Sequence, residues 1–429
     1  MRLLSNLLLP ISLLANLTAQ AARVNNPPAR PPEQNQDQDQ QQQQQHHRLP
    51  TPTNHHDDQP HPQKATTPGG GISPALFTSL ERLARLVDIT YCVGTPPGIT
   101  TPFTCASRCR DFPSLRLIRS WNTGVLLSDS CGYIAVDEPS REIVVAFRGT
   151  YSVANAIVDL STVPQEYVPY PAPGGGDGDG DDGGTGPRCG NCTVHMGFMA
   201  SWRNAREVVM PVLREVRGKY PGYGVRLVGH SLGGAVAGLA ALELKLAERC
   251  EDVVVTTFGE PRVGNDKLVE YFDRAFGLEE EHGEGLTYRR VTHVGDPVPL
   301  LPLTEWGYHS HAGEVYIGKS GLQPGPEDLR LCYGDNDPAC IGGAETENWV
   351  HRAVEVIKGQ ETAESDGVWE SRRGWFPARL KLWQLFFAHR DYFWRLGLCV
   401  PGGDPWDWGR DKYNLTSGEE SDESEIRDL

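Results

Sequence analysis

The stretch Val225-Arg-Leu-Val-Gly229-His-Ser231-Leu-Gly233-Gly-Ala235 constrains this chain more than any other. Val225, Leu227 and Val228 lead into a glycine, and a serine follows two residues later. Two more glycines then open a long Ala/Leu-rich run. That order predicts a strand, a sharp turn and a helix. Glycines at 229 and 233 leave room for a turn that Cβ atoms would obstruct. Ser231 then sits at the tip, with the helix N-terminus behind it. A Gly-x-Ser-x-Gly between strand and helix presents its serine hydroxyl as a candidate nucleophile. The competing expectation is a tight turn with a helix-capping serine.

The termini and the charge set the compartment. Met1-Arg2 followed by Leu3 to Leu14 is a positive start and a short apolar core, and Ala19-Gln20-Ala21 supplies a small-residue cleavage site. Residues 1–21 are therefore expected to be a signal peptide, too short for a transmembrane anchor. No later run is long and apolar enough to span a membrane. In a secreted chain the ten cysteines are mainly disulfide material. Asn191-Cys-Thr193 and Asn414-Leu-Thr416 are glycosylation acceptors. The net charge is −16 and no basic cluster interrupts it, which argues against a nucleic-acid partner.

Residues 22–72 are Pro, Gln, His and Asp with almost nothing apolar. They cannot bury enough surface to offset chain entropy, and are expected to be a disordered segment or propeptide. His46, His47, His55, His56 and His61 lie here. A solvated tail outweighs a metal-binding tract, because no fold holds these ligands in geometry.

A globular domain is expected over 73–400. Ser73-Pro74 is an N-cap with proline at the first helical position, and Leu76, Leu80, Leu83 and Val87 mark one helix face. Tyr133 to Asp137, a Glu138-Pro-Ser-Arg141 turn and Glu142 to Phe147 form a hairpin. Residues 171–187 are nearly pure Gly, Asp and Pro, a flexible surface insertion. Phe198, Trp202, Ala205, Val209, Val212 and Val216 fall at helical spacing, and Pro211 is expected to kink or split that helix. A helix from Leu232 to Glu248 follows the serine turn. Val253 to Phe258 and Arg289 to Val294 are further strands. Strand, helix, strand, joined by connections too long for hairpins, predicts an α/β fold: a mostly parallel central sheet with helices on both faces. Residues 401–429 form an acidic tail.

A serine hydroxyl is a weak nucleophile at neutral pH. It needs a base to take its proton and an anion to fix the base's tautomer. Asp296 stands in Gly295-Asp296-Pro297, on a loop immediately after a strand, where an orienting acid belongs. A turn-forming Asp before Pro is the plainer alternative. Four histidines follow: His309, His311, His351 and His389. His351 falls in a predicted helix, and spacing does not choose among the four.

Gly229-His230-Ser231-Leu232-Gly233-Gly234-Ala235, Phe147-Arg-Gly-Thr150, Phe258-Gly-Glu-Pro-Arg-Val-Gly264, Gly295-Asp-Pro-Val-Pro299, His311-Ala-Gly-Glu314 and His389-Arg-Asp-Tyr-Phe393 resemble the fungal class 3 lipases. The resemblance runs from about Leu76 to Cys399 and implies an α/β-hydrolase fold. Carried over by position, it implies a triad of Ser231, Asp296 and His389, with His311 outside it. The backbone N–H of Leu232, next to the nucleophile, and Thr150 are the implied oxyanion donors.

Ser152 to Asp159 matches the family's lid, with Val153, Ala154, Asn155, Ala156, Ile157 and Val158 at its centre, all apolar but Asn155. Ala156 stands where several relatives carry tryptophan, which makes this a mild lid. The family's disulfides imply Cys92–Cys399, Cys105–Cys109 and Cys332–Cys340. Cys189-Gly-Asn-Cys192 is spaced to close locally, and Cys131 and Cys250 have no assigned partner.

The function implied is a secreted serine hydrolase of lipid carboxylic esters, foremost a triacylglycerol lipase, acting through an acyl-enzyme. Phospholipase and feruloyl-type esterase are alternatives on the same scaffold. A catalytically silent lipid-binding protein is the non-enzyme alternative. The implied partner is a lipid or ester substrate at a lipid–water interface, met by a monomer without cofactor or metal.

Overall fold

The strand Glu142–Phe147 is apolar on both faces, with Ile143 through Phe147 all buried. Such a strand fits inside a sheet that is covered on two sides. The computed structural model describes residues 71–124, 129–150, 164–170, 189–278, 283–333, 337–343 and 388–400. All lie within the unit Lys64–Leu429.

In chain order the strands are β1 (Leu115–Asn122), β2 (Cys131–Asp137), β3 (Glu142–Phe147), β4 (Pro164–Glu166), β5 (Thr193–His195), β6 (Gly224–His230), β7 (Val253–Phe258), β8 (Tyr288–His293), β9 (Glu314–Ile317) and β10 (Leu329–Leu331). The described α-helices are α1 (Pro74–Ile89), α2 (Met196–Lys219), α3 (Leu232–Leu246) and α4 (Asp266–Phe276). Eight strands form one sheet in the order β1-β2-β3-β6-β7-β8-β9-β10. From β3 to β9 the neighbours run parallel, and the pairs β1–β2, β2–β3 and β9–β10 are antiparallel. β4 and β5 make a separate antiparallel ribbon.

Alternation along the central strands sorts the core into two layers. Ile143, Val145, Phe147, Val225, Leu227, Val253 and Val255 pack with α2, α3 and α4. Val144, Ala146, Val228, Phe258, Val291 and Val315 pack with α1 and with Tyr392, Phe393 and Trp394 of the C-terminal segment. The sheet therefore carries helices on both faces, as the strand–helix rhythm predicts.

Ser73 caps α1 by accepting the Leu76 N–H at 3.1 Å. Pro211 does not split its helix: α2 runs unbroken through it. Proline removes one intrahelical N–H, while Val209, Met210, Leu213 and Val216 stay buried on both sides of it. Helix α3 ends at Leu246, two residues before the expected Glu248.

Cys92–Cys399, Cys105–Cys109 and Cys332–Cys340 are bonded, and Cys189–Cys192 closes locally. Cys131 and Cys250 are buried free thiols. Among the described residues, no helix is long and apolar enough to cross a membrane. The expected signal peptide, most of the Pro/Gln/His-rich segment, the lid residues Val153 to Val158, the 171–187 insertion, His351, Asn414 and the 401–429 tail lie outside the described residues.

Candidate active site

β6 ends at His230, α3 begins at Leu232, and Ser231 alone makes the turn. Its φ of 58° and ψ of −132° form a conformation that L-residues rarely adopt. Neighbours must come close for this turn to exist. A Cβ on Gly229 would lie 2.1 Å from the Gly233 carbonyl oxygen, and one on Gly233 would lie 2.5 Å from the Phe147 oxygen. Both positions exclude any side chain. The Ser231 N–H donates to the Phe258 carbonyl at 2.9 Å, which pins the tip to β7. Its side chain makes no capping bond to α3, so the hydroxyl is not committed to the helix as a cap would be.

The loop after β3 lies directly against this turn. A Cβ on Gly149 would meet Ser231 Cβ at 2.7 Å and the His230 oxygen at 2.8 Å. Arg148 holds the loop from outside, donating to the Val93 carbonyl at 2.9 Å. Thr150 follows, and its Oγ1 is buried without a hydrogen-bond partner among the described residues. Leu232 opens α3, where backbone N–H groups lack intrahelical acceptors. Thr150, through the adjacent Gly149, and Leu232 thus flank the Ser231 turn.

Asp296 lies three residues beyond β8, fully buried. Its Oδ1 accepts the Val298 N–H at 2.9 Å. Its Oδ2 accepts the Tyr392 hydroxyl at 2.5 Å. His389 Nδ1 lies 3.0 Å from both oxygens. Burial by itself would push the Asp296 carboxyl up. The His389 ring, the Tyr392 hydroxyl and the Val298 N–H outweigh burial and hold it below the usual carboxylate range. The Tyr392 phenol is pushed the other way, first by burial and then by the Asp296 charge, and remains a donor.

Of the histidines that spacing left open, His389 is the one among the described residues that faces Asp296. His311 instead points Nε2 at Glu260 at 3.4 Å and Nδ1 at its neighbour's carbonyl, and the backbone of His309 bridges to Gly264. His389 Nε2 is buried and makes no hydrogen bond among the described residues. No bond joins it to Ser231 Oγ in this conformation, as is common before substrate binds. The two residues are neighbours through His230, whose ring stacks on that of His389 at 4.7 Å.

Sequence reasoning missed three further groups. Tyr392 sits within the quoted His389-to-Phe393 motif, so its place was open to inspection. His230 likewise stands within the quoted Gly229-to-Ala235 motif, whereas Tyr91 carried no signal. The Tyr91 hydroxyl lies 2.5 Å from His230 Nδ1, and His230 Nε2 lies 2.8 Å from the His389 carbonyl oxygen. Burial, then the nearby His389, pushes His230 down to about 3.

The segment carrying His389 is fastened to α1 at several points. The Gly397 N–H donates to Asp88 at 2.9 Å, and Trp394 Nε1 donates to Glu81 at 3.0 Å. Phe393 meets Phe77 edge-on at 5.2 Å, and Cys92–Cys399 closes the end. Asn191 is exposed, as a glycosylation acceptor must be.

Comparison with known proteins follows the same lines. Residues 144–306 match the family described as Lipase (class 3). Over 371 residues the chain is 57% identical to the secreted mono- and diacylglycerol lipase 2 of Gibberella zeae, covering 80% of this chain and 86% of that one. The chain belongs to the class 3 lipases. It is thus a carboxylic ester hydrolase with the α/β-hydrolase fold. Lipase A of Sodiomyces alcalophilus is 55% identical over 369 residues, 79% of this chain and 86% of that one. The crystal structure of the Lip2 lipase from Yarrowia lipolytica matches this lipase with a TM-score of 0.60 at 28% identity, over 77% of this chain and 97% of that chain.

Proposed function

We propose that this secreted lipase hydrolyses acylglycerol esters through Ser231, His389 and Asp296. Ser231 Oγ attacks the ester carbonyl carbon while His389 Nε2 takes the hydroxyl proton. The Leu232 N–H and the Thr150 hydroxyl and N–H donate to the oxyanion. His389 returns the proton to the leaving alcohol, and an acyl-enzyme remains. Water, deprotonated by the same histidine, then attacks the acyl carbon and releases the fatty acid and Ser231. Asp296 fixes the His389 tautomer with Nδ1–H inward and offsets the imidazolium that forms.

The observation that carries this assignment is the His389–Asp296 contact, 3.0 Å to each oxygen in a fully buried setting beside the Ser231 turn. The substrate class draws support from the Gibberella zeae relative, which is named for mono- and diacylglycerols. Triacylglycerol is the expectation from the family resemblance, and the lid stretch Val153 to Val158 favours lipid over a polar phenolic ester. A monomer cleaved after residue 21, with residues 73–400 as the catalytic domain, completes the proposal.

Hydrolysis of triolein, diolein, monoolein, phosphatidylcholine and methyl ferulate, measured side by side, tests it. The acylglycerols should be cleaved, with the two others slower by at least tenfold (roughly 1.4 kcal/mol in the barrier). Preference for phosphatidylcholine or methyl ferulate would reassign the substrate. Undiminished acylglycerol cleavage by Ser231→Ala would overturn the mechanism.

A further inference from the structure

The residue between Gly229 and Ser231 is a placeholder in the sequence motif, yet in the fold it is buried and bonded at both ring nitrogens. His230 Nε2 faces the His389 carbonyl oxygen at 2.8 Å, and Nδ1 faces the Tyr91 hydroxyl at 2.5 Å. A carbonyl oxygen can only accept, so Nε2 must carry the proton. The ring is fully enclosed and sits against His389, conditions that keep it neutral. Nδ1 is then bare and accepts from the Tyr91 O–H. The direction of the whole chain follows: Tyr91 O–H to His230 Nδ1, His230 Nε2–H to the His389 carbonyl.

His389 is thereby held at both ends. Asp296 fixes its side chain through Nδ1, and His230 fixes its backbone. His230 immediately precedes Ser231, so one residue ties the strained serine turn to the loop bearing the histidine. Stacking of the two imidazoles at 4.7 Å and 27° adds a lateral restraint. Tyr91 touches three parts of the site. Its hydroxyl would lie 2.8 Å from a Cβ on Gly149 in the oxyanion loop, and its ring would lie 3.7 Å from one on Gly397 in the histidine segment. Its neighbour Cys92 is bonded to Cys399.

We infer that Tyr91 and His230 are positioning residues that set the height and angle of the His389 ring over Ser231 through its main-chain carbonyl. The inference rests on the assignment of Ser231 and His389 as nucleophile and base. A base displaced by about 1 Å can lose on the order of 10²-fold in rate with binding intact.

The test uses the full-length secreted enzyme and p-nitrophenyl butyrate, a soluble ester that avoids interfacial kinetics. Tyr91→Phe, His230→Gln, His230→Leu, the double variant Tyr91→Phe/His230→Leu and Ser231→Ala are compared. Loss of positioning should lower kcat of His230→Leu by about tenfold to a hundredfold, leaving KM within about twofold. Gln offers an N–H at the reach of Nε2 and should recover most of that loss. Tyr91→Phe should show a smaller kcat loss. The double variant should be no worse than His230→Leu, because both changes break one chain.

Wild-type kcat in both Tyr91→Phe and His230→Leu, with Ser231→Ala inactive, would overturn the positioning role and leave the nucleophile intact. A Gln variant as impaired as Leu, or additive losses in the double variant, would reduce His230 to packing and overturn it equally. An active Ser231→Ala would remove the underlying assignment instead.

Discussion

The Tyr392 hydroxyl stands 2.5 Å from Asp296 Oδ2, on the same carboxylate that faces His389 Nδ1 at 3.0 Å. The phenol comes from the segment that carries the histidine, three residues later, so that one loop delivers both the proposed base and a donor for the proposed acid. In Tyr392→Phe a buried carboxylate oxygen loses a donor, and stability should fall by about 1–3 kcal/mol. kcat should fall too, but far less than in Asp296→Asn, where loss of the tautomer lock is worth about 10⁴-fold. Thermal unfolding and p-nitrophenyl butyrate kinetics on both variants measure this. An unchanged Tm in Tyr392→Phe would show that the hydroxyl does nothing for Asp296.

Thr150 Oγ1 is buried beside the Ser231 turn with no partner among the described residues, which suits a donor kept for a charge that develops in the transition state. Thr150→Val keeps the shape and removes the hydroxyl. Its kcat should drop by about 10²–10³ with KM nearly constant, and Thr150→Ser should keep most of the activity. Equal rates for Val and Thr would leave the oxyanion to backbone donors.

His230 gives the protein a pH dependence whose sign is fixed by burial. Its pKa is pushed down to about 3 in the fold, against an ordinary value near 6.5. Below about 6.5 the unfolded chain takes up a proton that the folded one refuses. The stability due to this group is complete at neutral pH and declines as pH falls from about 6.5 toward 3. Between pH 7.5 and 4.5, wild-type Tm should therefore fall further than the Tm of His230→Gln, which lacks the titration. Parallel curves for the two proteins would contradict this.

Cys92–Cys399 spans 307 residues and ends the segment that carries His389. Replacing both cysteines by serine should lower stability by about 2–5 kcal/mol. Gly397 and Trp394 still hold that segment to α1, so the variant should fold and lose activity at temperatures below its global transition. Activity and far-UV circular dichroism followed on one temperature ramp separate the two events. Coincident loss would mean that the bridge stabilises the whole fold without a local effect on His389.

The parts of the fold that rest on local chemistry were legible in the sequence. Gly229 and Gly233 announced the turn because a side chain at either position collides with backbone. The Ser73 cap and the β2–β3 hairpin followed from cap and turn residues. Pro211 left a kink and a split both open, and the helix is not split; local propensity carries no information about the buried Val209, Met210 and Leu213 on either side of it. The site divides in the same way. Asp296 was placed by its position after a strand, but choosing His389 over His309, His311 and His351 required a family resemblance. The contact that selects His389 joins residues 93 apart. Tyr91 lies 139 residues from its partner His230, and neither residue type nor spacing points across that separation. Such pairings are decided by how the sheet and its covering segments close, which local patterns do not encode.

On the proposed mechanism Ser231 is a nucleophile activated by His389, and covalent labelling by a fluorophosphonate, followed by peptide mass spectrometry, tests that activation. The folded enzyme should carry one adduct on Ser231, and His389→Ala should slow labelling by several orders of magnitude at unchanged Tm. An adduct on another residue, or wild-type labelling of Ser231 in His389→Ala, would contradict the account.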